Sequence, residues 1–116
     1  MPCRSGAVGA LHLLQALTTT RAGLAGAHLV LAGRGTHAVP GDRDVAPLSA
    51  PLWGLGAVIA QEYPELDCRR VDLPLGCSAA HAPALLAEML RGGSDEDEVA
   101  LRDTGRYVAR MVRAQP

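Results

Sequence analysis

The sequence predicts an α/β fold with a largely parallel sheet and flanking helices. Three observations carry that prediction. Segments of helical and strand periodicity alternate in the order α-β-α-β-α-β-β, the pattern of crossover-connected parallel strands. The first strand segment is a short continuous apolar run bounded by glycines, as suits a strand covered on both faces. The chain has 116 residues, 48% of them hydrophobic but only 3% aromatic, with no Phe. That is about one domain's worth of length with an aliphatic core.

The first helix is expected at about Gly6–Leu17, where Ala7, Ala10, Leu11, Leu14 and Leu17 recur at helical spacing. Ser5 is its candidate N-cap, and Thr18-Thr19-Thr20 ends it. Arg21–Ala27 is a connection of small residues, followed by a strand at His28–Ala32. Gly33–Pro47, rich in Gly, Pro and Asp, reads as a long loop. Ser49 can cap a second helix with Pro51 in its first turn, and Pro64 stops it near Glu62. Leu52, Leu55 and Ile59 line one stripe of that helix, with Trp53, Ala57 and Ala60 beside it. Gly54 and Gly56 cost helix propensity, and close backbone packing against the sheet would compensate.

Cys68–Leu73 is the second strand, ended by Pro74. A third helix is expected at Ala82–Leu90, with Leu85/Met89 and Leu86/Leu90 as i,i+4 pairs on its buried side and Gly92-Gly93 at its end. Glu98–Arg102 and Arg106–Arg113 alternate in strand fashion about a three-residue loop, Asp103-Thr104-Gly105.

Charge and composition exclude several functions. All eleven basic residues are Arg, so Schiff-base, phosphate-binding and catalytic lysines are ruled out. Net charge is −1 and the arginines are scattered, which argues against nucleic acid as a partner. Arg69-Arg70 and the Arg106/Arg110/Arg113 set read as solvated or packed faces, and the acidic run Ser94–Glu98 as an exposed loop. No apolar run approaches the roughly 20 residues that span a bilayer, and the N-terminus lacks the form of a secretory signal. Cys3, Cys68 and Cys77, with His12, His28, His37 and His81, stand at spacings that propose no metal site. Reduced thiols in a cytoplasmic protein are the expectation.

Gly33-Arg34-Gly35-Thr36-His37-Ala38 matches G-x-G-x-x-[G/A] after a strand, so Gly33 and Gly35 are the candidate cofactor-binding residues. A dinucleotide fingerprint must open a helix, whose N-terminus binds the pyrophosphate. Here Val39-Pro40-Gly41-Asp42 follows and reads as loop. Ser5, Ser49, Ser78 and Ser94 lack a G-x-S-x-G context. Tyr63 and Tyr107 lack the neighbouring Lys that would lower a reductase tyrosine's pKa. No residue is assigned a catalytic role.

Three stretches read together: Leu52-Trp53-Gly54-Leu55-Gly56, Glu62-Tyr63-Pro64-Glu65-Leu66 and Val71-Asp72-Leu73-Pro74. They resemble the "LWGLG…EHPEL…VDLP" run of ketoreductase domains in bacterial modular type I polyketide synthases. Glu96–Arg102 and Arg106–Arg110 resemble that family's "EDEVALR…RYVARLVR" segment, and Ala84–Leu90 its leucine-rich helix. The resemblance covers about Ala10–Arg113 and is to the first, structural half of the ketoreductase. It implies one truncated Rossmann-like domain over residues 1–116, missing the family's first strand. It implies a chain that is not an enzyme alone and binds no cofactor. NADPH and the Lys, Ser and Tyr catalytic residues belong to the family's second half, ahead of which this sequence stops at Pro116. The implied partners are that catalytic half or neighbouring synthase domains, with self-association through an exposed sheet edge as a further possibility. Two alternatives stand beside this reading: a small nucleotide-binding protein using Gly33–Ala38, and a degenerate self-associating synthase remnant.

Overall fold

Helices and strands follow one another in the order expected from the sequence. The structure is a computed structural model that describes residues 2–19, 28–40, 42, 50–91 and 96–114. Its elements are α1 (Pro2–Thr19), β1 (Val30–Arg34), α2 (Ala50–Glu62), β2 (Arg69–Leu73), α3 (Ala82–Leu90), β3 (Glu98–Arg102) and β4 (Gly105–Val108), with short 3-10 turns at Pro64–Leu66 and Ala79–His81. The four strands form one sheet in the order β1-β2-β3-β4. β1 runs parallel to β2 and β2 to β3, while β4 returns antiparallel to β3.

β2 is buried at every position, as a central strand covered on both faces should be. On one face Leu29, Leu31 and Cys68 pack with Leu14 of α1 and Ile59 of α2. On the other, Val71, Leu73, Val99 and Leu101 form a second cluster with Leu85 of α3. The steps β1 to β2 and β2 to β3 run the same way across the sheet, yet α2 and α3 lie on opposite faces. The two crossovers therefore have opposite hands, and one departs from the right-handed rule.

Several boundaries differ from expectation for identifiable reasons. α1 begins at Pro2, so Ser5 lies inside the helix and not at its N-terminal boundary. Its end at Thr19, where the hydroxyl donates to Ala16 O at 2.8 Å, agrees with the threonine signal. β1 is shifted two residues towards its C-terminus, because Gly33 and Arg34 pair with Asp72 and Leu73. Apolar composition ends at Ala32, but the ladder does not. The hairpin turn is tighter than expected: Arg102 faces Gly105, leaving Asp103 and Thr104 as the loop. Gly105 takes φ 143°, a value that favours glycine. β4 stops at Val108, short of the expected Arg113, and Met111 and Val112 are exposed. Ser49, Gly92-Gly93 and the Arg21–Ala27 connection lie outside the described residues.

The α3 stripe is rotated from its expected position. Leu86, Met89 and Leu90 are more than half exposed, and the buried residue is Glu88 at 2%. Its carboxylate receives Arg106 Nε and Nη2 at 2.9 and 3.0 Å, and its backbone carbonyl receives Arg69 Nη1 at 3.3 Å. Charged groups on the sheet thus turn the helix, overriding its leucine pattern.

Of the two helical glycines in α2, only Gly56 meets the sheet. A Cβ there would lie 2.8 Å from Arg70 Cγ and Cδ and 3.0 Å from Leu31 Cδ1; at Gly54 it would meet nothing within 4 Å. Both contacts at Gly56 involve buried side chains held in place. Gly56→Ala is therefore expected to destabilise by about 1–3 kcal/mol through overpacking, whereas Gly54→Ala should be neutral or stabilising. Urea unfolding of the two variants compares them directly.

Candidate functional site

In open α/β sheets, ligands bind beyond the carboxyl ends of the parallel strands. Here that end is built from the segment after β1, from Asp72 near the end of β2 and from Arg102 closing β3. Gly33 lies within β1 and is buried. Gly35 turns the chain out of the strand at φ 58°, and its N–H donates to Leu73 O at 2.8 Å. A Cβ on Gly35 would come within 3.0 Å of Leu75, so glycine is needed here for backbone conformation and close approach alike.

The next two amides converge on one carboxylate. Thr36 N–H donates to Asp72 Oδ1 at 2.8 Å and His37 N–H to Oδ2 at 3.1 Å. Asp72 is fully buried. Arg102 secures it from the other side, Nη2 reaching Asp72 Oδ2 at 2.8 Å. The same guanidinium donates to the carbonyls of Asp72, Leu101 and His37 and, through Nε, to both oxygens of Asp42. Burial disfavours charge on Arg102, but the hydrogen bonds to Asp42 and Asp72 outweigh it and raise its pKa above the ordinary value. Asp42, held by Arg102 and by the Val39 amide, sits below the usual carboxylate range. The loop after β1 is thus tied to β2 and β3 by side chains, and no helix opens at Ala38.

Beside this loop lies a pocket of about 280 Å³ against β3 and β4, lined by His37, Val39, Trp53, Glu98, Ala100 and Tyr107 among others. His37 and Trp53 meet edge to face with ring centroids 4.5 Å apart. Trp53 Nε1 donates to Glu98 Oε1 at 3.2 Å, and the Tyr107 hydroxyl pairs with Thr104 Oγ1 at 2.8 Å. The Trp53 indole N–H and the Tyr107 hydroxyl at its rim are thus already hydrogen-bonded.

Most of the charged residues noted in the sequence form ion pairs. Arg69 and Arg70 are 6% and 4% exposed, and Arg70 meets Asp97 at 3.0 Å. Arg110 pairs with Glu96. The acidic run therefore contributes pairing partners and not merely an exposed loop. Cys68 and Cys77 are free thiols. Among the described residues no cluster could hold a metal ion, and no helix is long and apolar enough to cross a membrane.

Asp72, Arg102 and Glu88 carry no role that local sequence pattern assigns. The available signal was their polarity inside segments otherwise suited to burial: an acid at the fourth place of a covered strand, and an acid among the leucines of a short helix. Their partners are 30 and 18 residues away in the chain, beyond the reach of any local pattern.

Comparison with known proteins accords with this architecture. The family described as "Polyketide synthase extender module SpnB, Rossmann fold domain" matches residues 2–111. The chain is 45% identical over 73 residues to the pikromycin polyketide synthase component PikAIII of Streptomyces venezuelae, covering 63% of this chain and 5% of that protein. It is 39% identical over 112 residues to the erythronolide synthase EryA3 of Saccharopolyspora erythraea, covering 95% of this chain and 3% of that one. It thus spans a small fraction of the length of these relatives. A solved structure titled "The Structure of a C2-type Ketoreductase from a Modular Polyketide Synthase" superposes with TM-score 0.65 at 34% identity, over 77% of this chain and 20% of that one. The sheet, its flanking helices and these matches together show that the chain belongs to the Rossmann-fold domain family of polyketide synthase extender modules, as an N-terminal ketoreductase subdomain.

Proposed function

We propose that this chain acts as a non-catalytic structural subdomain. It supports an NADPH-dependent catalytic half that reduces β-ketoacyl intermediates on a carrier protein, and it binds no nucleotide itself. One observation carries the reading. The Thr36 and His37 amides, placed where a phosphate would sit after β1, donate to the buried Asp72 carboxylate. The absence of lysine from the chain adds support, since the reductase chemistry of the resembled family uses one. The partners this reading requires are the catalytic half and the neighbouring domains of a synthase.

Titration of the chain with NADPH, followed by nicotinamide fluorescence, tests the reading. No saturable signal is expected. A saturable isotherm in the micromolar range would overturn it and favour the nucleotide-binding alternative at Gly33–Ala38.

A further inference from the structure

Two consecutive backbone N–H groups and one buried guanidinium aimed at the same point are the donor set with which proteins hold small oxyanions. Thr36 N–H, His37 N–H and Arg102 Nη2 form such a set, at 2.8, 3.1 and 2.8 Å from the oxygens of Asp72. The turn that aims the amides depends on Gly35 at φ 58°. The Arg102 side chain is 7% exposed and that of Asp72 0%, so water competes little for these bonds. The position is the exit of a strand at the carboxyl end of a parallel sheet, where an open α/β fold places an anionic ligand.

We infer that the loop after β1 is an oxyanion-binding nest plugged from within by Asp72, and that a small oxyanion takes the carboxylate's place once it is removed. This rests on the reading that the chain holds no nucleotide, and gives that reading a physical cause. The donors were not lost; the chain's own β2 fills them. Asp72 supplies the negative charge that Arg102 and the two amides require, and in doing so ties β1, β2 and β3 together at their carboxyl ends.

Asp72→Ala removes a group the size of formate and leaves every donor in place. The thermal midpoint of the variant is expected to rise saturably with sodium formate, and not with sodium chloride at matched ionic strength. The wild-type chain should respond to neither salt specifically. Inorganic phosphate serves as the second probe, with at least about tenfold tighter apparent binding to the variant than to the wild type. An equal response of the variant to formate and chloride, or an equal formate response of wild type and variant, would overturn the inference. Asp72→Asn keeps the side-chain volume and guards against misfolding of the alanine variant. Amide exchange at Thr36 or His37 should become at least about tenfold faster in it as the charge-assisted bonds weaken. Unchanged exchange at both amides would count against a charge-held nest. NADPH titration of the wild type reads the functional proposal separately, so either can fail alone.

Discussion

Arg102→Ala is expected to destabilise the chain by about 3–5 kcal/mol, the range for breaking a buried ion pair from one side. The guanidinium holds Asp72 and Asp42 by ion pairs at 2.8 and 3.1 Å and donates to three backbone carbonyls. Its removal leaves the fully buried Asp72 carboxylate with the two loop amides as its partners among the described residues. Arg102→Lys should recover little, because one ammonium cannot serve two carboxylates and three carbonyls from one position. Chemical denaturation with circular dichroism measures both. Arg102→Ala within about 1 kcal/mol of wild type would mean that Asp72 is satisfied without it.

The second large effect belongs to Glu88. Its carboxylate is 2% exposed and takes a two-point contact from Arg106. Glu88→Ala is expected to cost about 3–5 kcal/mol, leaving the partly buried Arg106 without its acid and a gap under α3. The pH dependence distinguishes the ion pair from mere packing. The hydrogen bond from Arg106 holds Glu88 below its ordinary pKa of 4.5, against the opposing effect of burial. Because the folded value is depressed, this stabilisation is fully present above about pH 4.5 and is lost as pH falls through the folded value. The near-isosteric Glu88→Gln should therefore differ most from wild type near neutrality, the two curves converging below pH 4.5. A gap that stays constant with pH would assign the effect to shape alone.

Much of the fold was legible because the local signals agreed. Proline after Leu73, Pro64 at the end of α2 and the Asp103-Thr104-Gly105 turn each mark an element boundary that the structure keeps within one or two residues. Legibility failed where a partner distant in sequence decided the outcome. Leu86 and Leu90 of α3 are exposed because Arg106 and Arg69 engage Glu88 and set the helix face that meets the sheet. β1 continues through Gly33 and Arg34 because Asp72 and Leu73 pair with them. The glycines of the apparent nucleotide fingerprint were readable as leading into a loop and not a helix. What occupies the amides behind them was not, since the acid comes from the neighbouring strand.

By itself, the sequence determined the element order, the aliphatic core, the lysine-free chemistry and the family, all of which follow from residue type and spacing along the chain. Only the tertiary structure decided the faces on which α2 and α3 lie, the opposite hands of their crossovers and the internal carboxylate at the strand exit. The physical reason is common to these features. Each depends on which groups from separate strands share a face of the sheet, and neither helical nor strand periodicity encodes that pairing.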